Sequence, residues 1–179
     1  MTIRMLTVSA VGLLLASCVN VERAERPSAW PSSVPIRTVS DVAGTYRDAA
    51  EHTRRDDLNS LWYCFTQSRR IVPPRGAVVR LASPNDEFSA TLLDARGIVL
   101  DRHLVRRFRL AFGTLSLPSA SGVTADGFGS GVGTAPCTLS RTSDGGLVGQ
   151  LRCTSAGLLF NLIPAVGTGT NWVYWPRTP

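Results

Sequence analysis

Lysine is absent from this chain of 179 residues: all 19 basic residues are arginine. That absence excludes a P-loop lysine, a Schiff-base lysine and a serine–lysine dyad. Histidine is almost absent, leaving His52 and His103 as the only imidazole bases or ligands. None of the four cysteines stands in a C-x-x-C spacing, so no thiolate metal centre is framed. Long apolar runs are lacking as well. The longest, Met5 to Ala16, is about 12 residues, short of the ~20 that a spanning helix needs.

What is present begins at that run. One positive charge, Arg4, precedes it and the small residues Ala16 and Ser17 follow, the layout of a secretory signal peptide. The next residue is Cys18. Leu15-Ala16-Ser17-Cys18 resembles the lipobox of bacterial lipoproteins. The resemblance implies that residues 1–17 are removed as a signal peptide. It implies also that the Cys18 sulfur carries diacylglycerol and that the new amine receives a fatty acyl chain such as palmitate. One acyl chain binds a membrane only marginally, whereas two or more anchor stably. Val19, standing where aspartate would hold such a protein back, implies transfer to the outer membrane with the domain facing the periplasm or the cell surface.

Removal of residues 1–17 leaves 162 residues, enough for one domain with an adequate core. Losing Arg4 takes the formal charge from +6 to +5. Residues 18–40, with "VNVERAERPSAWPSSVPIRTVS" after the cysteine, are rich in proline and serine and read as a flexible tether. As a coil it would span about 25 Å. Trp30 is free there to dock onto the domain or the membrane interface.

Residues 41–179 read as a single β-rich domain. "AAEHTRRDDLNSLWYCF" is the one stretch with helical character; His52 and Asp56 fall a turn apart in it, too few ligands for a metal site. "GAVVRLAS" reads as a strand, and "EFSATLLDARGIVLD" as a hairpin around Asp94-Ala95-Arg96-Gly97. "LVRRFRLAFGTLSL" is a long strand or a pair broken near Gly113. "SASGVTADGFGSGVGTAP" reads as a mobile Gly/Ser loop, while "LLFNLIP" and "TNWVYWP" look like closing strands. Short strands at roughly ten-residue spacing predict an antiparallel sandwich or open barrel with one short helical segment near the N-terminal side.

"CTLSRTSDGGLVGQLRC" predicts a hairpin in more detail. A three-residue Asp144-Gly145-Gly146 loop pairs residues whose numbers sum to 290, setting Cys137 opposite Cys153. Cys137, Leu139, Leu151 and Cys153 then share an apolar face, and Thr138, Ser140, Gln150 and Arg152 a polar one. A Cys137–Cys153 disulfide follows, which an oxidising envelope permits. Cys64 is left over, as a buried small residue or as a competing partner for one of the other two.

Catalytic motifs are missing. "GFGSGVG" fits neither G-x-S-x-G nor G-x-G-x-x-G. The strongest functional feature is "DRHLVRRFRL". On a strand it places Arg107 and Arg109 on one face with His103 and Val105, and Arg102 and Arg106 on the other with Leu104 and Phe108. Arginine suits bidentate recognition of phosphate or carboxylate. The partners this suggests are anionic lipid, lipopolysaccharide or an acidic envelope protein rather than nucleic acid; the same charges also fit a protected edge strand.

Beyond the lipobox, "GTYRD", the β-rich middle, the Gly-rich segment and "GLLFNLIPAVGTGTNWVYW" are similar to small proteobacterial lipoproteins, a resemblance that carries no activity with it. The leading expectation is an outer-membrane-anchored binding or scaffold domain with no catalytic residues, metal or cofactor. One alternative is a lipocalin-like carrier, which needs an internal apolar cavity. The other is an envelope hydrolase using His103 with Asp101 or Ser116.

Overall fold

The computed structural model describes residues 18–52, 60–67, 70–84, 87–126, 129–159 and 163–179. The chain runs β1 (Cys18–Arg23), β2 (Ser33–Val34), a 3₁₀ turn (Val39–Val42), β3 (Gly44–Arg47), β4 (Glu51–His52) and α1 (Leu61–Thr66). It continues through β5 (Val78–Ala82), β6 (Ser89–Leu93), β7 (Val99–Leu104), β8 (Arg109–Ala111) and β9 (Thr114–Asp126). The last strands are β10 (Gly129–Thr142), β11 (Leu147–Leu159) and β12 (Ile163–Trp175).

These strands form two sheets. An eight-stranded sheet follows the order β1-β12-β11-β10-β9-β8, with β2 beside β10 and β4 beside β12; β3-β5-β6-β7 form the other. All neighbours are antiparallel except β1 and β12. The expected β-rich class, an antiparallel sandwich or open barrel with one short helix, is the one observed. β1 and β8 remain separate edges of the large sheet, so the described residues form no closed barrel.

One hydrophobic core joins the sheets and the helix. Val79, Leu81, Ala90 and Leu92 from the small sheet meet Leu115, Leu117, Leu139, Leu151 and Val173 from the large one, with Leu61, Trp62 and Phe65 of α1 between. Gly149 lies under the Trp175 ring, and a β-carbon there would come within 2.5 Å of a ring carbon. Only glycine fits that position.

Asp48 ties the first strands to α1 from inside. Its carboxylate Oδ1 accepts hydrogen bonds from the Ser60 hydroxyl and the Trp62 amide, both at 2.8 Å. Its own carbonyl accepts from the Leu61 amide at 3.1 Å. The helix N-terminus thereby receives both a neutral cap, Ser60 Oγ to the Tyr63 amide, and a carboxylate.

Five expectations need correction. Residues 18–40 are no free tether: β1 pairs with β12 from Cys18↔Ala165 to Arg23↔Thr170, and the Trp172 indole donates to the Ala24 carbonyl at 2.9 Å. Trp30 packs on Tyr174 at 5.7 Å, and Ile36 is buried in the core, so the domain begins well before residue 41. The Gly/Ser "loop" is instead the paired halves of β9 and β10, in register from Ala120↔Ala135 to Asp126↔Gly129. "LLFNLIP" is not one strand; it spans the end of β11 and the start of β12. Among the described residues of the segment read as a helix, Leu61–Thr66 is helical and Glu51 and His52 pair with β12; residues 53–59, Asp56 among them, lie outside the described residues.

The fifth correction concerns the cysteine hairpin. A three-residue loop with a left-handed glycine does close it, but that glycine is Gly145, at φ +86°. Thr142 and Gly146 close the loop through the Thr142 amide and the Gly146 carbonyl at 2.9 Å. The observed pairs, Thr138↔Gln150 and Leu139↔Gly149 among them, sum to 288. Cys137 therefore faces Leu151, not Cys153. A shift of two residues keeps each side chain on its own face, so Cys137, Leu139 and Leu151 are buried together as expected.

Candidate functional site: an arginine and aromatic edge

The "DRHLVRRFRL" run does not make one continuous strand. β7 ends at Leu104 as an edge of the small sheet, and β8 starts at Arg109 as an edge of the large one. Between them Val105 turns inward; its amide donates to the Phe88 carbonyl at 2.8 Å and its side chain is buried. The anticipated two-faced arrangement of arginines is therefore replaced. Arg102, Arg106, Arg107 and Arg109 are all exposed around a corner where the edges of both sheets meet.

Apolar side chains lie among them. Ile98, Val99, Leu100 and Leu104 are exposed on or beside β7, and Phe108 is 39% exposed. Phe108 meets Phe88 edge-on at 5.6 Å, and Phe88 meets Phe65 of α1 the same way, so an aromatic ladder runs from the helix to the surface. Edge-to-face rings of this kind hold one another by ring quadrupoles as well as by burial.

Phe112 is the most telling residue. It is 99% exposed and sits with φ +52° beside Gly113 at φ +72°, at the tip of the β8–β9 hairpin. Two consecutive positive φ values belong to a turn that favours Asn-Gly, not Phe-Gly. A phenylalanine there pays in backbone strain and gains no burial. The tip is held firmly, since the Gly113 carbonyl accepts from the Ile36 amide at 2.9 Å. Pro35 also packs so closely that a β-carbon at Gly113 would come within 3.0 Å of it. Sequence reading missed Phe112 and the exposed residues 98–100; "AFGT" at a hairpin tip was the signal available for the first.

The other candidates fall elsewhere. Asp101 and His103 stand two positions apart on β7, where Asp101 Oδ1 accepts from the Arg102 amide at 2.8 Å, whereas Ser116 belongs to the other sheet, paired with Thr138 and Arg109. His52 faces Val173. Among the described residues no group of three or more His, Cys, Asp or Glu could hold a metal. A depression of about 460 Å³ lined by Gly44, Thr45, Asp144 and Arg177–Pro179 is open and polar in part, unlike the enclosed apolar cavity of a carrier. Beside it, burial acts to raise the Asp144 carboxyl, but hydrogen bonds from Thr142, Tyr174 and the Gly146 amide together hold it below the usual range.

No family model, curated protein or solved structure matches the chain.

Proposed function

We propose that this protein is an outer-membrane lipoprotein, anchored through Cys18, whose β-rich domain binds an acidic and partly apolar protein surface in the envelope. The observation that carries the binding role is Phe112: a strained, fully exposed aromatic at the head of an arginine-lined edge stabilises nothing in the isolated chain. Arginine and aromatic side chains are the residues that dominate protein interfaces.

The sheet supplies a ruler for the geometry. Cys18 pairs with Ala165, Ala165 with Gly157, Gly157 with Gly131, and Gly131 with Thr124. Arg109 pairs with Ser116, further back along the same β9. From Thr124 to Ser116 is about 27 Å at roughly 3.4 Å per residue. The arginine edge then stands off the bilayer on a rigid sheet, which favours a protein partner over the membrane's own head groups.

Two measurements test this. Phe112→Asn is expected to leave the fold intact and to raise its unfolding free energy, by up to about 1 kcal/mol, because asparagine tolerates the left-handed turn. A loss of more than that amount in a urea titration would show that Phe112 is structural. In cells, a photoreactive phenylalanine at position 112 is expected to cross-link to a protein. Reversing Arg106 and Arg107 to glutamate should cut that yield roughly tenfold, equivalent to about 1.4 kcal/mol. A lipid adduct, or a yield indifferent to the reversal, would contradict the reading.

A further inference from the structure

Cys64 and Cys137 are brought together although 73 positions separate them in the chain. Cys64 lies on the buried side of α1 and Cys137 on the inward face of β10, 8% and 2% exposed, in the same core cluster. The Cys64 side chain lies close enough to the Cys137 thiol to push its pKa up. The pairing of β10 with β9 shifts register between Ala135 and Cys137, at Pro136, which has no amide to give to a ladder. Cys137 therefore follows a bulge and points into the core that also holds Cys64.

We propose that Cys64 and Cys137 form a disulfide in the mature protein, stapling α1 to the centre of the large sheet. The inference rests on the envelope address, where such bonds form and persist. Its oxidant is a protein disulfide of the thiol-oxidase class. The Cys64 thiolate attacks one sulfur of that disulfide, giving a mixed disulfide and releasing the oxidant's other sulfur as a thiolate. Cys137 then loses its proton, attacks the Cys64 sulfur and expels the remaining oxidant sulfur. Two thiols lose two protons and two electrons, and the oxidant leaves as a dithiol. In the closed core the Cys64 side chain, and then burial, push the Cys137 thiol well above its usual range, which leaves it a poor nucleophile there. Both groups are enclosed in the native core, so the exchange takes place before the core closes.

The test has two arms. In the first, the reduced chain is refolded in a glutathione redox buffer, free thiols are alkylated under denaturing conditions, and the peptides are mapped without reduction. Joined Cys64 and Cys137 peptides, with Cys153 alkylated, are expected. A Cys137–Cys153 link, or alkylation at both Cys64 and Cys137, overturns the proposal. In the second arm the same map is made on protein from membranes. Free thiols there, beside a Cys64–Cys137 link in the first arm, would refute the envelope address rather than the pairing. A Cys64→Ser variant is expected to melt roughly 10 °C lower than the oxidised protein, and no lower than the reduced one. An equal midpoint for oxidised protein and variant would also overturn the proposal.

Discussion

Asp48→Ala is expected to destabilise the domain by about 3 kcal/mol at neutral pH, whereas Asp48→Asn stays within about 1 kcal/mol of the parent. The alanine removes the acceptor of two buried donors, the Ser60 hydroxyl and the Trp62 amide, at the point where α1 meets the sheet. Leaving buried donors unmade costs about 1–3 kcal/mol each, and the recovered desolvation of the carboxylate offsets part of it. Asparagine keeps the Oδ1 acceptor that serves both donors and discards the charge.

The pH dependence gives the sign. Burial raises the Asp48 carboxyl above its ordinary 3.8, against the lowering effect of its bonds from Trp62 and Ser60. An acid with a raised folded value binds its proton more tightly when folded. Its contribution is thus fully present below pH 3.8 and declines as pH rises through 3.8 to the raised value. Asp48→Asn should therefore gain on the parent across that window and hold the gain at neutral pH. Urea titrations of both at pH 3.5 and 7 check this; a gain that shrinks with rising pH would show that the hydrogen bonds, not burial, govern Asp48.

Cys18→Ser is expected to move the protein almost wholly from the membrane pellet to the soluble fraction, a fall in bound protein of roughly a hundredfold. Each buried methylene of an acyl chain contributes about 0.8 kcal/mol, so loss of all chains leaves only weak charge attraction. The consequence is sharper here than for a tethered domain. With β1 hydrogen-bonded to β12 from Cys18 onwards, an anchor on Cys18 would be continuous with the sheet, and no coil would let the domain wander. Reversal of Arg106 and Arg107, far along the sheet, should leave the pellet fraction unchanged. A serine variant that still sediments with membranes, and resists high salt, would place the anchoring elsewhere.

Local chemistry made part of this legible. The β6–β7 turn follows from Asp94, whose carboxylate accepts from the Arg96 and Ile98 amides as the "DARG" signal implies. The β10–β11 loop was legible in type but not in position. Gly145 takes the left-handed turn because Gly146 is needed elsewhere: a β-carbon there would come within 2.6 Å of the Tyr174 ring, which arrives from a distant strand. Two adjacent glycines look alike until that ring is placed. The small residues of β9 and β10 have weak strand preference, and ladder pairing with two neighbours overrides it. The proline- and serine-rich N-terminal segment reads as coil because what orders it lies far along the chain: the Ile36 amide donates to the Gly113 carbonyl and Trp30 packs on Tyr174. In the arginine edge the residue types were visible. Their arrangement was not, since Val105 leaves the strand to fill the core.

The most direct test of the account is the intact mass of the N-terminal peptide from protein extracted from its own membranes. The account predicts a chain that starts at Cys18, with a diacylglyceryl group on sulfur and an acyl chain on the amine. A chain that retains residues 1–17, or one that starts at an unmodified Cys18, would contradict it.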